Sequence, residues 1–117
     1  MSLPLPALDN PEILPSELLP VLNSEPVPVR LVDCREEDEF AICRIEGAEL
    51  IPLSRFGELA PTLLGNEERP VVIYCHHGMR SLQATGFLRQ RGLEKVWSLS
   101  GGIERWSVEI DDSVPRY

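Results

Sequence analysis

The chain has 117 residues, 19 of them acidic and 11 basic, for a formal charge of −8. This length suits one domain with one hydrophobic core, and no apolar run approaches the ~20 residues a membrane span needs. The acidity argues against a sequence-independent grip on nucleic-acid phosphates. No basic-then-apolar leader opens the chain, and Met1-Ser2-Leu3 is compatible with a cloning scar, so it carries no weight here.

The charge is uneven. Residues 1–70 hold 14 acids and 5 bases, whereas residues 71–117 hold 5 acids and 6 bases, so an anionic substrate would not be repelled by the second half. The three cysteines, Cys34, Cys43 and Cys75, have neither metal-ligand nor disulfide spacing. An odd count without a secretory signal predicts reduced thiols and a cytoplasmic protein.

Residues 1–28 contain seven prolines and read as a linker or wrapping segment with one short helix starting at Pro15. Residues 29–117 read as the domain. There Val29–Asp33 predicts a strand, Glu36–Ile42 a short helix, and Ala48–Ile51 a second strand stopped by Pro52. Ser54–Leu64 gives helical turns broken at Pro61, with Gly65-Asn66 as a stop. Val71–Tyr74 is the most apolar strand. Ser81–Gly92 has helical spacing, Val96–Leu99 is a last strand, and Ile103–Val108 a final helix after Gly101-Gly102. Short apolar strands alternating with helices predict a three-layer α/β fold, a parallel sheet covered on both faces. Ligands in such sheets sit beyond the carboxyl ends of the strands. Asp33–Arg35, Cys75–Ser81 and Ser98–Gly102 occupy those ends.

In VVIYCHHGMRS (71–81) a buried strand runs directly into a thiol. A free cysteine is only about 3% thiolate at pH 7. The helix starting near Ser81 offers free amides, Gly78 lets successive amides turn inward on one atom, and Arg80 adds a permanent positive charge. A core cysteine requires none of these. His76 and His77 are adjacent and point apart, with no second ligand cluster, so no metal is expected; a modest role is to bring partial positive charge to an incoming group. Cysteine phosphatases also hold a thiolate in a backbone cradle, but their arginine stands six positions after the cysteine. Here that position is Ser81, and Arg80 falls one short.

Four stretches carry a family resemblance: LVDCREEDEF (31–40), EGAELIPL (46–53), VVIYCHHGMRS (71–81) and SLSGGIERW (98–106). Together they resemble a rhodanese domain. The resemblance implies a five-stranded parallel sheet with helices on both faces, and a sulfurtransferase in which Cys75 carries sulfane sulfur as a persulfide. It assigns the amides of His76, His77, Gly78, Met79, Arg80 and Ser81 as the anion cradle. Asp33 and Arg35 match the family's Asp-x-Arg, and Glu39 the acid that helps fix that arginine; a salt-bridged structural network is an equally good reading of these three. No cofactor is implied beyond the transient persulfide.

The wording around Cys43-Arg44-Ile45 and the tail GGIERWSVEIDDSVPRY is similar to the C-terminal rhodanese domain of ubiquitin-activating-like enzymes that serve sulfur-carrier proteins. Trp106, Ile110-Asp111, Pro115 and Tyr117 match that tail. The implied donor is thiosulfate or a desulfurase persulfide, and the implied acceptor a thiol or a sulfur-carrier protein. The alternative is a regulatory rhodanese-like interaction module with no turnover of its own. Cys34 is expected to pack in the core; Cys43 is either a packing residue or a resolving thiol for Cys75. Neither the physiological donor nor the oligomeric state is legible.

Overall fold

Five parallel strands organise residues 5–117, the residues described by the computed structural model. The Met1–Leu3 reading lies outside them. In chain order the elements are β1 (Glu12–Ile13), α1 (Pro15–Leu22), β2 (Arg30–Asp33), α2 (Glu37–Ile42) and β3 (Glu49–Leu50). A 3-10 turn (Leu53–Arg55), α3 (Phe56–Leu64), β4 (Val71–Tyr74), α4 (Met79–Gln90), β5 (Val96–Leu99) and α5 (Gly102–Glu109) follow. The sheet order is β1-β5-β4-β2-β3. β4 is therefore central, which is why VVIY is apolar at every position: all four residues are buried.

Alternation along the strands divides the core in two. Val72 and Tyr74 face Leu31, Trp97, Ile103 and Trp106, on the side covered by α1 and α5. Val71, Ile73 and Cys75 face Val32, Cys34, Phe56, Ala84 and Leu88, on the side covered by α3 and α4. Period-2 alternation from one registered pair, Val32 opposite Ile73, fixes which face each neighbour takes. Among the described residues, no helix is long and apolar enough to cross a membrane.

The first 28 residues differ from the expected linker or wrap. β1 pairs in parallel with β5, Glu12 opposite Ser98 and Ile13 opposite Leu99, and becomes the fifth strand. Ile13, Leu18 and Val21 lie in the core. Arg89 of α4 fastens the approach to β1 by donating to the carbonyls of Leu8 at 2.7 Å and Asn10 at 3.0 Å. The division at residue 28 thus does not mark the edge of the folded unit. Helix α3 also runs through Pro61 instead of breaking there. The carbonyl that Pro61 leaves without a partner belongs to Gly57, on the exposed face where water can take it.

Candidate active site

Cys75 stands at the carboxyl end of central β4, and the chain turns through His76 and His77 into α4. Gly78 makes the turn with φ of 102°, a conformation open to glycine at little cost. The turn brings two amides onto the Cys75 sulfur: Gly78 N–H at 3.1 Å and Ser81 N–H at 3.3 Å. The Ser81 hydroxyl lies 3.4 Å from the same sulfur and 2.7 Å from the Ser98 hydroxyl of β5. Both serines are fully buried, so this hydroxyl pair forms the floor of the cradle. The amides of Met79 and Arg80 belong to the first turn of α4, where the helix itself provides no acceptor. Of the six amides expected in the cradle, those of Gly78 and Ser81 hydrogen-bond the sulfur.

The loop is held from behind. Helix α5 donates Ile103 N–H to the Cys75 carbonyl at 2.9 Å and Glu104 N–H to the His76 carbonyl at 3.0 Å. This approach requires Gly102, whose φ is 63° and where any Cβ would collide with both carbonyls. Carbonyls therefore point out toward α5 and amides point in toward the sulfur.

These contacts lower the Cys75 pKa to about 5. The leading cause is the neighbouring Cys34 thiol; burial opposes it, and the hydroxyl and amide of Ser81 and the amide of Gly78 add to it. Cys34 is correspondingly held protonated, raised first by that same contact with Cys75 and then by burial. The direction of the shift favours the thiolate of Cys75.

The charged residues are arranged differently from the sequence expectation. Arg80 makes a bidentate pair with Glu39, at 2.7 and 2.9 Å, and makes no hydrogen bond to the Cys75 sulfur. Glu39 is thereby held down at about 2, with Arg80 the first cause. Glu39 does not touch Arg35, as the resemblance implied it would. It reaches that arginine through Tyr117, whose hydroxyl donates to Glu39 at 2.8 Å and accepts from Arg35 at 2.8 Å. Arg35 is fully buried. It binds Asp33 through both Nε and Nη2, the latter at 2.6 Å, and the Cys43 carbonyl at 2.6 Å. Burial disfavours its charge, but Asp33 and Tyr117 more than offset this.

His76 and His77 do not point apart as expected: His76 is sandwiched between the Tyr117 ring at 4.0 Å and the His77 ring at 3.9 Å. Burial, then His77, lowers its pKa, so it is neutral near pH 7. His77 is exposed, and Met79 is 77% exposed at the loop rim. Among the described residues no group of three or more His, Cys, Asp or Glu side chains could hold a metal ion.

Sequence reasoning gave no role to Ser98, to Gly102, or to Tyr117 beyond its match to a tail. The Ser98–Gly102 strand end was visible as polar, but only the sheet shows that β5 flanks β4.

The family model for the rhodanese-like domain matches residues 14–109. The chain is 34% identical over 90 residues to a chloroplastic rhodanese-like/PpiC domain-containing protein of Arabidopsis thaliana, covering 75% of this chain and 30% of that one. It is 31% identical over 105 residues to a probable adenylyltransferase/sulfurtransferase, MoeZ, of Mycobacterium tuberculosis, covering 90% of this chain and 26% of that one. This chain thus spans under a third of the length of both relatives. A solved human single domain sulfurtransferase superposes with a TM-score of 0.70 and 30% identity, over 85% of this chain and 96% of that one. A parallel five-stranded sheet, a match over most of the chain and these relatives together place the chain in the rhodanese-like domain family.

Proposed function

We propose that this protein is a sulfurtransferase in which Cys75 is the nucleophile and carries sulfane sulfur as a persulfide. The observation that carries the reading is a buried Cys75 sulfur that accepts the amides of Gly78 and Ser81, beside the first-turn amides of Met79 and Arg80, which have no acceptor within the helix. In the loading step the Cys75 thiolate attacks the outer sulfur of a donor such as thiosulfate, and sulfite leaves with the bonding pair. The new outer sulfur is anionic and lies against the free amides of Met79 and Arg80. In the unloading step a thiol, cyanide or a sulfur-carrier acceptor attacks that outer sulfur, and the Cys75 thiolate departs. A pKa near 5 makes it a good leaving group. No cofactor enters either step.

The mouth of the site favours a particular donor class. Arg80 is neutralised by Glu39 and His76 is uncharged, so no unpaired cation stands over the sulfur to draw a small dianion. Exposed Met79 offers a deformable apolar contact at the rim. Both features suit a protein persulfide donor better than thiosulfate. Three free thiols suit a reducing, cytoplasmic setting.

One observation favours the alternative of an interaction module: Cys75 is only 1% exposed. Intact mass after incubation with thiosulfate or a desulfurase persulfide, on wild type and Cys75→Ser, separates the two. A gain of one sulfur on wild type alone, removed by cyanide, is the expected result. A folded wild type that gains none from either donor overturns the reading.

A further inference from the structure

Cys34 lies beside Cys75 by the geometry of the sheet. Asp33 is registered opposite Tyr74, and Cys34 N–H continues the ladder to the Tyr74 carbonyl at 3.0 Å. The same bond type, Arg30 N–H to the Pro70 carbonyl, sets Arg30 opposite Val71, so Cys34 stands opposite Cys75. Neighbouring strands are about 4.8 Å apart, within the ~4.4–6.8 Å Cα separation of disulfides. Both side chains point to the same face and pack in the same core cluster with Val32 and Ile73. Cys43, the other cysteine, belongs to the core on the opposite face, with its sulfur toward Arg35.

We infer that Cys34 is a resolving thiol, which closes the Cys75 persulfide into a Cys34–Cys75 disulfide and releases sulfide when no acceptor arrives. This rests on the persulfide reading above. The Cys34 thiol passes its proton to the anionic outer sulfur, and the Cys34 sulfur so freed attacks the inner sulfur of the persulfide. The Cys34–Cys75 bond forms, the bond to the outer sulfur breaks, and the electron pair leaves with that sulfur. The Cys34 proton departs with it as hydrosulfide. Cys34 is oxidised and the sulfane sulfur reduced, so no outside oxidant is needed. An external thiol cannot easily reach an inner sulfur that is 1% exposed, whereas Cys34 is already in place. The step gives the protein a second activity, donor-dependent sulfide release, and an oxidised resting form that a dithiol reductant reopens.

The test loads wild type, Cys34→Ser and Cys43→Ala with inorganic polysulfide, removes the donor, excludes air, and follows intact mass, peptide maps and free sulfide. Serine keeps a hydrogen-bond donor beside Cys75 but cannot form the disulfide. Wild type and Cys43→Ala are expected to lose the outer sulfur, release one sulfide per chain and show a Cys34–Cys75 linked peptide. In Cys34→Ser the persulfide is expected to live roughly tenfold longer or more. A persulfide equally long-lived in wild type and Cys34→Ser, or a bridge from Cys75 to Cys43 or to another chain, overturns the inference and leaves the sulfurtransferase reading standing. A persulfide on none of the proteins overturns both.

Discussion

Two arginine–carboxylate pairs stand near the cradle, and they do different work. Asp33–Arg35 has no exposed side chain at either partner, and every arginine nitrogen is engaged. Glu39–Arg80 lies at the rim, with side chains 17% and 33% exposed. The buried pair trades two solvation shells for fixed geometry beneath the ends of β2 and β4; breaking it leaves an uncompensated charge in the core. The rim pair is bidentate but partly exposed, and under the proposed function it sets the charge an incoming donor meets. Chemically similar pairs can thus serve architecture or selectivity, and burial decides which.

Removing the buried counter-charge gives the largest expected effect. Asp33→Asn should lower stability by about 3–5 kcal/mol, the usual cost of orphaning a buried charge. Urea unfolding measures it, and a loss under ~1 kcal/mol would erase the distinction between the pairs. Glu39→Gln should cost only about 1 kcal/mol. The gap between this variant and wild type should depend on pH. Folding lowers the Glu39 pKa from 4.5 to about 2, so its stabilisation is complete above 4.5 and fades as pH falls toward 2. Glu39→Gln should also unmask Arg80, quickening loading from thiosulfate more than from an uncharged donor; equal rates would mean that Arg80 acts on neither. Tyr117→Phe should cost about as much as Glu39→Gln, about 1 kcal/mol for one hydroxyl. In a double-mutant cycle it should abolish any coupling between Asp33→Asn and Glu39→Gln, and surviving coupling would mean that the pairs communicate by another route.

The parts of the molecule legible in the sequence are those whose signal is local. Val29–Asp33, Val71–Tyr74 and Val96–Leu99 are short segments rich in apolar and β-branched residues, and each contains a strand. The order Cys75-x-x-Gly78-x-Arg80-Ser81 announces a turn into a helix, and the amides of Gly78 and Ser81 do meet the sulfur. The illegible parts depend on distant partners. β1 is two residues long, and its identity comes from β5, some 86 positions away in register. Arg80 and Glu39 are 41 positions apart, and Arg35 and Tyr117 are 82 apart. From its place in the loop alone, Arg80 reads as a charge aimed at the thiol. What redirects it is a carboxylate on α2, which no local pattern reveals. Cys34 reads as packing until the β2–β4 register puts it beside Cys75.

The clamp from α5 onto the Cys75 and His76 carbonyls has a consequence for biosynthesis. The segment carrying the thiol is translated well before the amides of Ile103 and Glu104 that brace it. Until those two amides are made, the Cys75 and His76 carbonyls lack the donors that hold them outward in the folded chain. A ribosome-bound chain ending before Gly102 would carry the whole VVIYCHHGMRS stretch yet lack the brace that completes the cradle.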